Sequence, residues 1–280
     1  MPIGSVPATL HRLTVYATKG AIQMILRNMS ATCVFAALLT MFCYVTAADA
    51  QDFVTDGLVA HYTLNEADLD GKVVKDISPN GNDAELVGKL KFVEGATDGT
   101  NEAMEFEGKP DNYVKIPDLG DFDHVSIECY ALEGQFGAIQ GIVSTWLWAA
   151  GKVHFKFEGN QIQVHKNDGV KIRLNAEAET WYHIIYTSNT KDNELKLYVD
   201  GELVDEGNAG TTPENMQERR IGSEHDGRYL TGMIDNVRIY DRILDEGEVQ
   251  QNFESESDTW PVEPAGKLST TWGYLKSLRN

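Results

Sequence analysis

The chain has 280 residues, 42% hydrophobic and 24% charged, with a formal charge of −19. That length holds one large all-β domain or two smaller ones, and the hydrophobic fraction is that of a globule rather than a disordered chain. So large an excess of acid repels nucleic acid and anionic membrane surfaces and attracts cations, although solubility alone would also account for it.

The leading residues stand apart. Arg27 precedes an uncharged run from Ala31 to Val45, ATCVFAALLTMFCYV, and TAADA then offers small residues at Ala48 and Ala50. A basic start, an apolar centre and an A-x-A site mark residues 1–50 as a secretory signal with its upstream segment, and Met24 is a better start than Met1. The run is short for a membrane span of about 20 residues, and an uncleaved anchor is the alternative. Cleavage before Gln51 leaves 21 basic and 42 acidic residues, a formal charge of −21, on a protein bound for the extracellular or periplasmic space with no membrane span. Cys33 and Cys43 fall in the signal, so Cys129 stays alone and no internal disulfide is expected.

Period-two alternation sets in at Leu58. Leu58, Ala60, Tyr62 and Leu64 share one face, as do Met104 with Phe106 and Val114 with Ile116. Cys129 lies in phase with Val125, Ile127 and Ala131, which makes it a buried small hydrophobe; a reactive thiol is the alternative. Val153, Phe155 and Phe157 lead through a Gly159-Asn160 turn to Ile162 and Val164, and Leu195, Leu197 and Val199 lead into Asp200-Gly201, a hairpin signal. Val237 and Ile239 supply a last strand. Many short strands parted by Gly, Asn and Asp turns predict an all-β, two-sheet antiparallel jelly-roll sandwich over residues 51–255. One short helix closes it: Asp245 is the N-cap with Glu248 three residues on, and Val249 and Phe253 share a face. Residues 256–280 form an acidic linker with Pro261 and Pro264, then a short tail with Leu268, Trp272, Leu275 and Leu278 at helical spacing, to dock on the sandwich or on a partner.

GLVAHYTLNE, VVKDISPNGNDAELVG, AMEFEGKPDNYVKIP, VSIECYA, TWYHIIYT, LKLYVDGELV, IGS and GMIDNVRIYDRIL occur in one order. In that order, from Gly57 to about Phe253, the chain resembles the laminin-G-like jelly rolls of the concanavalin A-like lectin/glucanase superfamily, in the form common in secreted bacterial proteins. The resemblance implies that Trp181 is core, that His183 is satisfied structure, and that Tyr130, where a tryptophan is usual, is half buried. It also places DISPNGND in a loop that holds structural calcium in many relatives. Calcium takes six to eight oxygens, and Asp76, Asn80, Asn82 and, from a late strand, Asp235 are the candidate ligands. The alternative is an Asx-type turn whose side chains bond only backbone. Glu66 to Gly71 mimics half of an EF-hand loop, but its twelfth position is Ile77, so that reading is rejected.

The fold hosts lectins, adhesion modules and glycanases, so function has to be read from the site. Retaining glucanases of the superfamily place an E-x-D-x-x-E pattern on one strand, and no predicted strand carries it, so the expectation is a non-catalytic module. Sugar recognition uses flat aromatic faces and a few polar groups. Trp146, Trp148 and His154 offer these in one stretch, and His225, Asp226, Arg228 and Tyr229 in another; core packing is the alternative for the tryptophans. The expected partner is an extracellular or cell-surface glycan, or, for an adhesion domain, a surface protein.

Overall fold

The alternation folds as it reads: each strand buries one side against a facing sheet. The structure, a computed structural model, describes residues 53–96 and 102–255, within the second of the chain's two units, Gln51–Asn280. The leader, its cleavage position and the tail with Trp272 lie outside the described residues. Among the described residues, no helix is long and apolar enough to cross a membrane.

One sheet runs, in spatial order, Glu202–Gly207, Glu194–Val199, Trp181–Asn189, His124–Glu133, Thr231–Tyr240, Glu102–Glu107 and Lys91–Glu94, all antiparallel. The first strand, Leu58–Tyr62, pairs with the second half of Thr231–Tyr240, so the two ends of the domain meet. The opposing layer holds two sets of strands. Ile139–Gly141, Val153–Glu158, Gln161–Lys166 and Lys171–Asn175 form one; Val143–Thr145, Arg219–Ile221, Tyr113–Lys115 and Ala84–Val87 lead the other. Ile142 alone separates Ile139–Gly141 from Val143–Thr145; its N–H donates to Phe155 O at 2.9 Å, and its carbonyl accepts from Gly222 N at 2.7 Å. Between the layers lies one apolar core that includes Met104, Phe106, Ile127, Phe155, Phe157 and Tyr186. Cys129 is buried within it as a free thiol.

The outer face of the first sheet is also covered. Helix Glu246–Glu254 begins at Asp245, whose side chain accepts from Glu248 N while Glu248 bonds back to Asp245 N, the reciprocal cap that the spacing predicts. Val249 packs there with Phe53, Ile185, Tyr198 and Tyr240, whereas Phe253 is partly exposed. Beneath the helix, Glu128 accepts from His183 Nε2 (3.0 Å), Arg238 Nη1 (2.7 Å) and Asn252 Nδ2 (2.5 Å). This is the satisfied role expected of His183. Two expectations fail on burial: Tyr130 is buried rather than half buried, and Trp181 is only half buried because its strand starts at the rim and Tyr186 fills the core instead.

Candidate functional site

Strand Val153–Glu158 turns Val153, Phe155 and Phe157 into the core, which leaves His154, Lys156 and Glu158 on the outward side. The Gly159-Asn160 turn pairs His154 with His165 across the hairpin. Two glycines then bring a third segment over this face. A Cβ on Gly141 would stand 2.2 Å from the Ser223 backbone, and one on Gly222, at φ +78°, would strike the Phe106 ring. Only glycine permits that approach. It sets Ser223–Glu224 against Ile139–Gly141 and carries His225 and Arg228 in the turn that follows.

The two tryptophans come from the loop after Val143–Thr145. Trp146 N donates to Glu218 O (2.9 Å), Asn167 Nδ2 to Ala149 O (2.9 Å) and Gly151 N to Asp168 Oδ1 (3.1 Å), so the loop is held at both ends. Neither tryptophan joins the core. The Arg220 guanidinium lies over the Trp146 ring at 3.9 Å and over the Tyr113 ring at 4.2 Å. Trp148 is 59% exposed yet backed by imidazoles: His154 at 4.4 Å, His225 at 5.4 Å and His165 at 5.5 Å between ring centroids. Trp146, Trp148, His225 and Arg228 line an open cleft of about 420 Å³. Tyr229 does not reach it; with Phe136, Gln140 and Arg228 it lines an adjoining hollow of about 530 Å³. The Asp226 side chain lies outside the described residues.

Charge beneath the cleft is ordered. Arg228 Nη1 donates to Glu224 Oε1 at 2.5 Å and lies 3.4 Å from His225 Nε2. Burial raises the Glu224 carboxyl, but His154, Lys156 and Arg228 outweigh it and hold it below its ordinary value. Burial, opposed by Glu224, lowers His154; burial with Lys156 and Lys171 lowers His165. Both imidazoles are therefore neutral at physiological pH, as aromatic supports for Trp148.

Of the residues expected to hold calcium, Asp76 is fully engaged by hydrogen bonds within the protein. Both Asp76 oxygens are saturated: Oδ1 accepts from His61 N and Ser78 N (2.9 Å each), Oδ2 from Ser78 Oγ and Asn82 N (2.8 Å each). A carboxylate offers about four lone-pair positions, and these donors fill them. Asn80 and Asn82 turn their Nδ2 donors to the carbonyls of Leu58 and Val59, and Asp235 Oδ2 accepts from Ala96 N at 3.0 Å. Asp76 therefore keeps no lone-pair position for a cation in this arrangement. DISPNGND is the Asx-type clasp that ties its loop to the first strand.

The laminin-G-type pattern of the concanavalin A-like lectin/glucanases superfamily matches residues 107–250, just over half of the chain. The chain belongs to this superfamily. Solved structures agree on the fold. The binding domain of Paraclostridial Mosquitocidal Protein 1 superposes with a TM-score of 0.56 at 15% identity, covering 71% of this chain and 52% of that one. Domain 4 of AbnA, a GH43 extracellular arabinanase from Geobacillus stearothermophilus solved with arabinotriose, gives 0.52 at 16% identity over 70% and 97%. Trypanosoma rangeli sialidase gives 0.56 at 15% identity over 74% and 34%. This chain thus spans about half of the toxin domain and a third of the sialidase. No curated protein matches it in sequence.

In this superfamily member Trp146, Trp148, His154, His225 and Arg228, all expected from the sequence, lie together, and they are joined by Glu224, His165, Arg220 and Tyr113, which the sequence pattern does not single out. His165 had a readable signal: once Gly159-Asn160 is taken as the turn, the hairpin register places it opposite His154. Glu224 had none, because it reaches the cleft through a backbone approach between distant segments.

Proposed function

We propose that the protein is an exported, non-catalytic module that binds an extracellular or cell-surface glycan in the Trp146–Trp148 cleft. The observation that carries this reading is Trp148, an indole largely open to solvent yet held against three imidazoles. A rigid aromatic face loses little entropy on stacking against a sugar ring, and Arg228 and His225 beside it supply hydrogen-bonding groups for hydroxyls or a carboxylate. The arabinotriose held by the arabinanase domain supports a saccharide as ligand for this fold, and the leader motif supports export. Support for a non-catalytic role is chemical. The E-x-D-x-x-E pattern is missing from the predicted strands, and Glu224, the carboxylate under the cleft, is kept ionised by its cationic partner, the wrong state for a general acid.

One open cleft implies modest affinity, a Kd of about 1 mM to 1 μM. The test is a screen of the full chain against immobilised glycans, with soluble polysaccharides assayed in parallel for reducing ends. Retention on a defined set of glycans without cleavage is the expected result. Release of reducing sugar would make it a hydrolase, and capture of a surface protein with no glycan retained would make it an adhesion domain.

A further inference from the structure

His154 is wholly buried, yet neither of its ring nitrogens has a hydrogen-bond partner among the described residues. Its Nδ1 lies 3.2 Å from Glu224 Oε1 without forming a hydrogen bond to it. A buried imidazole with both nitrogens idle is a costly arrangement that something must offset. Ligand atoms of His154, Glu224 and His225 all lie within 4.8 Å of one another. From these observations we infer that His154, Glu224 and His225 form a transition-metal site, most suited to zinc, beneath Trp148.

The donor set selects the metal. Two imidazoles and one carboxylate suit zinc, nickel or copper, whereas calcium and magnesium ask for an all-oxygen shell. Tetrahedral zinc with bonds of about 2.0–2.1 Å needs its ligand atoms roughly 3.3 Å apart. The His154–Glu224 pair already has that spacing, and His225, half exposed in its turn, is the ligand that must move to complete the set. Ser144 Oγ lies 3.4 Å from Glu224 Oε2, where it can orient the carboxylate. Three protein ligands leave a fourth position, and since His225 lines the cleft, that position opens toward it for water or a ligand oxygen. Against the ion stand Arg228, which pairs with Glu224 and touches His225, and Lys156; Arg228 must yield when the metal enters.

The site shares His225 and Arg228 with the proposed glycan cleft but does not rest on that reading, and it is tested without saccharide. The full chain, free of any polyhistidine tag, is titrated with zinc chloride by calorimetry, with nickel, calcium and magnesium as comparisons and tryptophan emission followed in parallel. Expected are one zinc bound per chain, a change in emission from Trp148, and no competition from millimolar calcium or magnesium. His154→Ala and His225→Gln should each weaken binding at least about tenfold, and Arg228→Ala should tighten it. His225→Gln carries the test if the buried His154→Ala variant does not fold. Zinc binding absent at 100-fold excess, unchanged in His225→Gln, or weakened by Arg228→Ala would overturn the assignment.

Discussion

Asp76 shows how one side chain decides between two readings of a loop. Its carboxylate gathers three backbone N–H groups and the Ser78 hydroxyl. Asp76→Ala therefore strands buried donors and is expected to cost about 2–4 kcal/mol in denaturant unfolding, since each unsatisfied buried group costs roughly 1–3 kcal/mol. Added calcium should leave the parent's melting temperature unchanged; a site filled at about 100 times its Kd would instead add about 2.7 kcal/mol, a rise of several degrees. The oxygen-rich composition was plain in the sequence, but whether those oxygens face a cation or neighbouring N–H groups depends on which backbone passes beside them. The cleft divides in the same way. Trp146 and Trp148 were visible as an in-phase pair, but the imidazole stack behind Trp148 needed three segments to converge.

At the level of elements, the sequence was most legible where the signal is local. The Asp200-Gly201 hairpin, with φ of 51° and 82°, and the Asp245 cap lie where the residues put them. Asp245→Ala should cost about 1 kcal/mol, the usual worth of a helix cap, and should loosen the roof over Glu128. Amide exchange ought to quicken in Glu246–Glu254 and at Val54, whose N–H bonds Asn252 Oδ1, while the Trp148 loop is unaffected. Exchange quickened equally throughout would mean that the helix is not a separable roof. The last strand was less legible. A strict period of two back from Val237 would turn Asp235 to the core face, but Asn236 adopts φ 51° and the register shifts between Asp235 and Arg238, so Ile234 and Val237 both join the core cluster. A bulge adds one residue to the count, which period-two reading does not register.

Across the whole molecule, buried ionisable groups set the pH response. Burial lowers His61 from 6.5 to about 3, so between those values the unfolded chain binds a proton that the folded one refuses. That stability is complete above pH 6.5 and is lost as pH falls toward 3. For Glu128 burial raises the carboxyl, but Arg238 and His183 outweigh it and hold it near 2, so its contribution is present above 4.5 and lost on acidification toward 2. Glu133 works in the opposite sense: burial raises it to about 8, with Oε2 lacking a hydrogen-bond partner among the described residues, so its contribution is present below 4.5 and lost as pH rises through 8. Together these groups predict a flat maximum between about pH 4.5 and 6.5, where the gain from His61 offsets the loss from Glu133. Glu133→Gln should remove much of the alkaline decline, stabilising by ~2 kcal/mol at pH 9 while leaving the acid limb in place; melting curves of the two proteins across pH that run parallel would refute this assignment.

Trp148 is the residue on which glycan stacking depends, and one variant sets binding against stability there. Affinity for a retained glycan and melting temperature are determined for the parent and for Trp148→Ala. Because the indole projects from a tethered loop and is largely exposed, the substitution should change stability by less than about 1 kcal/mol. It should weaken the glycan more than tenfold, a loss of at least ~1.4 kcal/mol. Equal glycan affinity in the two proteins, or a Trp148→Ala variant that unfolds, would contradict a stacking platform at this position.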